Sequence, residues 1–110
     1  MDTTFIKGSK EIESHFGYFP SFHDDYIDSI EITSKVISIC IRMESSGEKL
    51  KLIFTDVKKF ALEGELYGCV SIILDVTYEK CGEEIITKIE TSLGTEGSIQ
   101  SKEVAIELLP

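Results

Sequence analysis

The chain has 110 residues, 42% hydrophobic and 28% charged, a composition that excludes a disordered tail and fits a folded domain. Its length suits one domain over residues 1–110, burying roughly two-thirds of the surface exposed on unfolding. Eleven basic against twenty acidic residues leave a net charge of −9, which disfavours nucleic acid and anionic membrane as partners and favours a basic protein.

Taken in chain order, Met1 to Ile6 lacks the basic flank and apolar stretch of a signal peptide, and no apolar run approaches the ~18 residues of a membrane span. A cytoplasmic protein is expected. Residues 9–16 are predicted to form a short helix: Ile12 and Phe16 lie four apart on one face, Ser9 is placed to cap, and Gly17 then Pro20 supply the stop. After Pro20 the period becomes two. Tyr26 to Ile32 and Val36 to Met43 read as strands joined by a tight turn at Thr33-Ser34-Lys35, with Ile37, Ile39, Ile41 and Met43 on the inner face. Ser45-Ser46-Gly47-Glu48 turns into a strand over Lys49 to Val57, with Leu50, Leu52 and Phe54 inside.

Residues 58–66 read equally as a helical turn or a loop. A fourth strand is predicted from Gly68 to Tyr78, with Val70, Ile72, Leu74, Val76 and Tyr78 sharing one face and Cys81-Gly82 closing it. Ile85, Ile89 and Leu93 carry a fifth. Leu93-Gly94-Thr95-Glu96-Gly97 turns, and Val104 to Leu108 ends the chain as a sixth. The sum is an α+β fold, an antiparallel sheet of about six strands with one short N-terminal helix.

Three cysteines, Cys40, Cys69 and Cys81, cannot all pair, and none has the spacing of a zinc knuckle or a redox motif. Buried or idle thiols in a reducing compartment are expected. None of the eight glycines falls into a phosphate-cradling spacing. Lys49, Lys51, Lys58 and Lys59 read as a solvated strand face or an edge guard.

Functional side chains are densest at Phe19-Pro20-Ser21-Phe22-His23-Asp24-Asp25-Tyr26, with His15 upstream and Asp28 and Glu31 downstream. A metal would take His23, Asp24 or Asp25 and His15, although helical His pairs and an alternating acidic loop are both missing. An acid–base reading would have Asp24 or Asp25 orient His23, yet Ser21 would point to the opposite face of an extended segment and no other nucleophile accompanies it. The structural alternative has His23 donating to a backbone carbonyl while Asp24 caps the turn into the first strand. Phe16, Tyr18, Phe19, Phe22 and Tyr26 would staple helix to sheet. Neither a metal nor a cofactor is expected, and catalysis is not the favoured reading.

Over His15-Phe16-Gly17-Tyr18-Phe19-Pro20-Ser21-Phe22-His23-Asp24 the chain resembles the Immunity protein 50 family of bacterial polymorphic toxin systems. The resemblance lies in the phenylalanine-glycine pair and the aromatic-Pro-Ser-Phe-His-Asp core. It continues loosely through Asp56-Val57, the fourth strand and the Leu93-Gly94 turn. Phe19 stands where a tryptophan is usual, Asp25-Tyr26-Ile27 replaces a small-acid-aliphatic triplet, and the cysteine often seen before the last strand is missing. The resemblance implies a cytoplasmic protein that binds and neutralises a cognate toxin, with no catalytic site of its own. Its motif residues are Phe19, Pro20, Ser21, Phe22, His23 and Asp24, and Asp25, Asp28 and Glu31 are the candidate partner-facing acids. A small hydrolase or metal-dependent enzyme at His23 and Asp24, or an assembly module using an exposed sheet edge, are the alternatives.

Overall fold

A computed structural model of the chain describes residues 2–64 and 71–110. The expected start of the fourth strand at Gly68 and Val70, the thiol of Cys69, and residues 65 and 66 of the ambiguous stretch lie outside them.

The fold is α+β: one short helix and six antiparallel strands. Helix α1 spans Ser9–Phe16, and the strands are β1 Tyr26–Thr33, β2 Val36–Arg42, β3 Lys49–Glu63, β4 Ser71–Cys81, β5 Glu84–Leu93 and β6 Glu96–Leu108. The sheet closes on itself as a barrel in the order β1-β2-β3-β6-β5-β4. Closure removes the free edges of an open sheet, and it rests on a short seam in which Tyr26 pairs with Ile72 and Ile27 with Ser71.

Helix α1 buries Ile12 and packs Phe16 on the core, and it stops at Gly17, whose φ of 84° lets its N–H reach the Glu13 carbonyl. Its start differs from expectation. Gly8, not Ser9, is the N-cap, without a side-chain cap, and Ser9 is buried within the first turn. The reason is the approach to β6. Lys7 exchanges hydrogen bonds with Val104 and Ile106 at 2.9 and 2.8 Å, and a Cβ on Gly8 would overlap the Ile106 carbonyl oxygen.

The two longest strands pair with each other. β3 runs on to Glu63 and β6 begins at Glu96, well before Val104, because the two form one ladder from Leu50↔Leu108 to Glu63↔Glu96. Residues 58–63 have no two-residue hydrophobic period of their own; cross-strand pairing makes them strand. The ladder slips between Val57 and Lys59, beside Asp56, which adopts a φ of 54°.

The barrel interior is filled from β2 to β6: Ile37, Ile39 and Ile41 of β2, Leu50, Leu52 and Phe54 of β3, Val76 and Tyr78 of β4, Ile85 and Ile89 of β5, and Val104 and Ile106 of β6 are all buried, as is Met43 just past β2. Strand β1 packs Ile27 and Ile30 against them only partly buried. In β4 the expected face is right only at its far end. Ser71 and Ile73 are buried where Ile72 and Leu74 were expected, because the β4–β5 ladder shifts at Ile72/Ile73 and again at Ile73/Asp75. The expected inward Leu93 is likewise exposed.

The segment before β1 covers one end of the barrel. Ile6, Ile12 and Phe22 join the core, and the Phe19 ring meets Tyr78 edge-on at 6.0 Å. His15 Nε2 lies 2.6 Å from Glu48 Oε2, which ties the helix end to the β2–β3 turn. Two aromatics depart from the expected staple: Tyr18 is 59% exposed, and Tyr26 lies under the Arg42 guanidinium on the outer surface. Among the described residues no helix is long and apolar enough to cross a membrane.

Candidate functional site

The motif lies in the knuckle between α1 and β1, and its backbone is unusual. Phe22 and Asp24 adopt φ of 65° and 68°, left-handed values that side chains other than glycine seldom take. Tertiary contacts hold both. The Phe22 side chain is buried in the core. The Asp24 N–H donates to the Ile73 carbonyl at 2.8 Å, the Ile73 N–H donates to the Asp25 carbonyl at 2.9 Å, and the Asp25 N–H donates back to Phe22 at 3.0 Å. These bonds extend the seam between β1 and β4 backwards into the knuckle.

His23 stands between the two left-handed residues. Its Nδ1–H donates to the Leu74 carbonyl at 2.8 Å, since a carbonyl can only accept. Leu74 is the extra residue at the second β4–β5 shift, where Ile73 pairs with Thr91 and Asp75 with Glu90. The imidazole therefore gives the carbonyl of the bulged residue a hydrogen-bond donor. The other ring nitrogen faces the Asp24 carboxylate at 3.6 Å. The bond to Leu74, then the Asp24 charge, hold the His23 pKa above its ordinary 6.5.

The capping carboxylate is Asp25 rather than Asp24. Asp25 is buried, and its Oδ1 accepts the Glu44 N–H at 3.0 Å from the turn after β2. Burial raises its pKa above the ordinary 3.8, opposed by that hydrogen bond. A groove of about 200 Å³ lies over this junction, lined by Tyr18, Ser21, His23, Asp24, Asp25 and Glu44 among others.

The chemical alternatives can be placed on this geometry. Ser21 Oγ accepts from the His23 backbone N–H at 3.3 Å, so it serves the turn instead of facing the imidazole. His15, the expected third metal ligand, is turned to Glu48. Among the described residues no three His, Cys, Asp or Glu side chains converge. Of the acids expected to face a partner, Asp25 is buried, Asp28 already has Arg42 Nε at 3.3 Å and Lys49 Nζ at 3.6 Å, and Glu31 is exposed on β1. Cys40 is half-buried and Cys81 exposed, both free.

Sequence reasoning missed Leu74 and Leu93, two of the large apolar side chains left in solvent. A signal was available: Ile72-Ile73-Leu74 is an unbroken aliphatic run, which a strict two-residue alternation cannot place on one face. Compared with family models, curated proteins and solved structures, the chain matches none.

Proposed function

We propose that this protein acts by binding: it is a cytoplasmic immunity protein that occludes a basic cognate toxin, without a cofactor and without catalysis of its own. One observation carries the reading. Two polar side chains of the motif are turned onto the chain's own backbone, Ser21 to the His23 N–H and His23 to the Leu74 carbonyl, and the adjoining Asp25 to Glu44. These groups work as scaffold, while Asp24 and the outer surface are left to act on other molecules.

That surface belongs to a body with a radius of gyration of 13.0 Å and a net charge of −9. Charge of one sign on so small a body accelerates encounter with a basic protein and fixes its orientation. A closed barrel also offers a preorganised surface, so little ordering cost opposes association. Blocking another protein's active site needs about 1,600 Å² of complementary surface and a few anchors, not chemistry.

Co-expression with the product of the adjacent reading frame tests the proposal. Rescue of growth, with purified proteins binding more slowly as salt rises, is the expected result. Neighbouring toxins that all remain lethal, and bind nothing, would end it.

A further inference from the structure

Barrel register lays one outward row across five strands. Tyr26 pairs with Arg42 on one side and with Ile72 across the seam, Arg42 pairs with Lys49, and Ile72 pairs with Leu93. Directly paired residues on antiparallel neighbours share a face. The row changes character at the seam. Toward β3 it is basic and internally satisfied: the Arg42 guanidinium lies 4.6 Å over the Tyr26 ring and shares Asp28 with Lys49. Toward β5 it is apolar and open. Leu93 is 48% exposed, and Leu74, turned outward by the bulge, is 42% exposed.

Beside these leucines, Asp75 and Glu90 stand directly opposite each other on β4 and β5. Like charges in that relation repel, and among the described residues no Lys, Arg or His nitrogen pairs with either. Asp24 adds a third carboxylate at the knuckle that holds Leu74. An apolar centre inside a charged rim is the anatomy of a protein interface. The rim is acidic at Asp24, Asp75 and Glu90, with Lys88 beyond Glu90 on the same face. Its carboxylates select the occupant: a second copy would set them against each other, whereas a lysine or arginine would relieve the Asp75–Glu90 repulsion.

We propose that the outer face of β4 and β5 around Ile72, Leu74 and Leu93, rimmed by Asp24, Asp75 and Glu90, is the docking surface for a basic protein that sets an apolar anchor between lysine or arginine side chains. The proposal rests on the neutralising reading and supplies its surface. His23 is a positioning residue here, since its Nδ1–H holds the carbonyl of the residue that must point outward.

The test uses the intact chain and, as probe, the purified product of the adjacent reading frame in an inactive form. Leu74→Ser combined with Leu93→Ser is expected to weaken binding about tenfold or more, with the melting temperature lowered by only a few degrees because both side chains are already about half exposed. Glu90→Lys, a single exposed change that keeps the assay decisive should the double variant unfold, is expected to weaken binding and flatten its salt dependence. Glu31→Lys, distant on β1, is expected to change binding less than about twofold. His23→Ala should weaken binding and speed amide exchange at Asp75, and His23→Asn, which keeps an N–H donor, should restore both. Patch variants that bind like the parent overturn the surface while leaving the neutralising reading intact. A parent chain that neither binds the probe nor protects against its active form overturns both. Self-association through this face, seen as a concentration-dependent mass lost in the double leucine variant, overturns the choice of occupant.

Discussion

The β2–β3 and β4–β5 ladders draw on the same aliphatic residues and end differently. From Val36↔Thr55 to Arg42↔Lys49 the first runs without a register shift, with Ile37, Ile39 and Ile41 facing Phe54, Leu52 and Leu50, all buried. The second shifts twice between Ile72 and Asp75, leaves Leu74 and Leu93 in water and sets Asp75 against Glu90. In the first ladder each side chain's position follows from its own strand. In the second it depends on a histidine 51 residues away in sequence, whose ring holds the bulged carbonyl. The regular ladder turns its aliphatic residues inward, and the irregular one presents apolar groups outward, where the proposed docking surface lies.

Truncating one leucine in each ladder sharpens that contrast most. Leu52→Ala is expected to cost about 2–5 kcal/mol, measured by chemical denaturation, because a fully buried side chain leaves a cavity. Leu74 is 42% exposed, and Leu74→Ala should cost less than about 1.5 kcal/mol. Equal losses would break the comparison by making Leu74 a core residue.

The buried carboxylate at the junction gives the next effect. Asp25→Ala should cost about 1–3 kcal/mol by leaving the Glu44 N–H without its acceptor, whereas Asp25→Asn retains one. The parent also differs from Asp25→Asn in its pH dependence. Since the folded state raises the Asp25 pKa above 3.8, it holds this proton more tightly than the unfolded state. The group's contribution is therefore complete below pH 3.8 and lost as pH rises through the folded value. Stability measured across that window should fall more in the parent than in Asp25→Asn.

His23 has a raised pKa as well, through its bond to Leu74 and the charges of Asp24, Asp75 and Asp25. Its contribution is complete below pH 6.5 and lost as pH rises through the folded value. An NMR titration should place the ring above 6.5, and Asp24→Asn should lower it part of the way, leaving the share due to the Leu74 carbonyl. The smallest change belongs to the exposed ion pair between Lys7 and Glu103 at 3.1 Å; Lys7→Ala should alter stability by less than about 0.5 kcal/mol.

The chemistry of the knuckle was half legible. That His23 would serve a backbone carbonyl follows from a lone imidazole among turn residues, but which acid would cap depended on burial. Asp24 and Asp25 are adjacent and alike in sequence; the left-handed turn at Asp24 and the approach of Glu44 to Asp25 distinguish them in the fold. In the same way Asp28 read as a free acid until the barrel brought Arg42 and Lys49 to it.

Local periodicity alone was enough for helix α1 over residues 9–16, the β1–β2 turn and the inner faces of β2 and early β3, because each depends on neighbours within a few residues. Closure of the sheet into a barrel, the full lengths of β3 and β6, the bulge at Leu74 and the outward row across the seam were decided by contacts between distant segments. A strand's period can show that it has two faces. Which of its residues meets water is set by the register of the strands beside it, and one inserted residue reverses the answer.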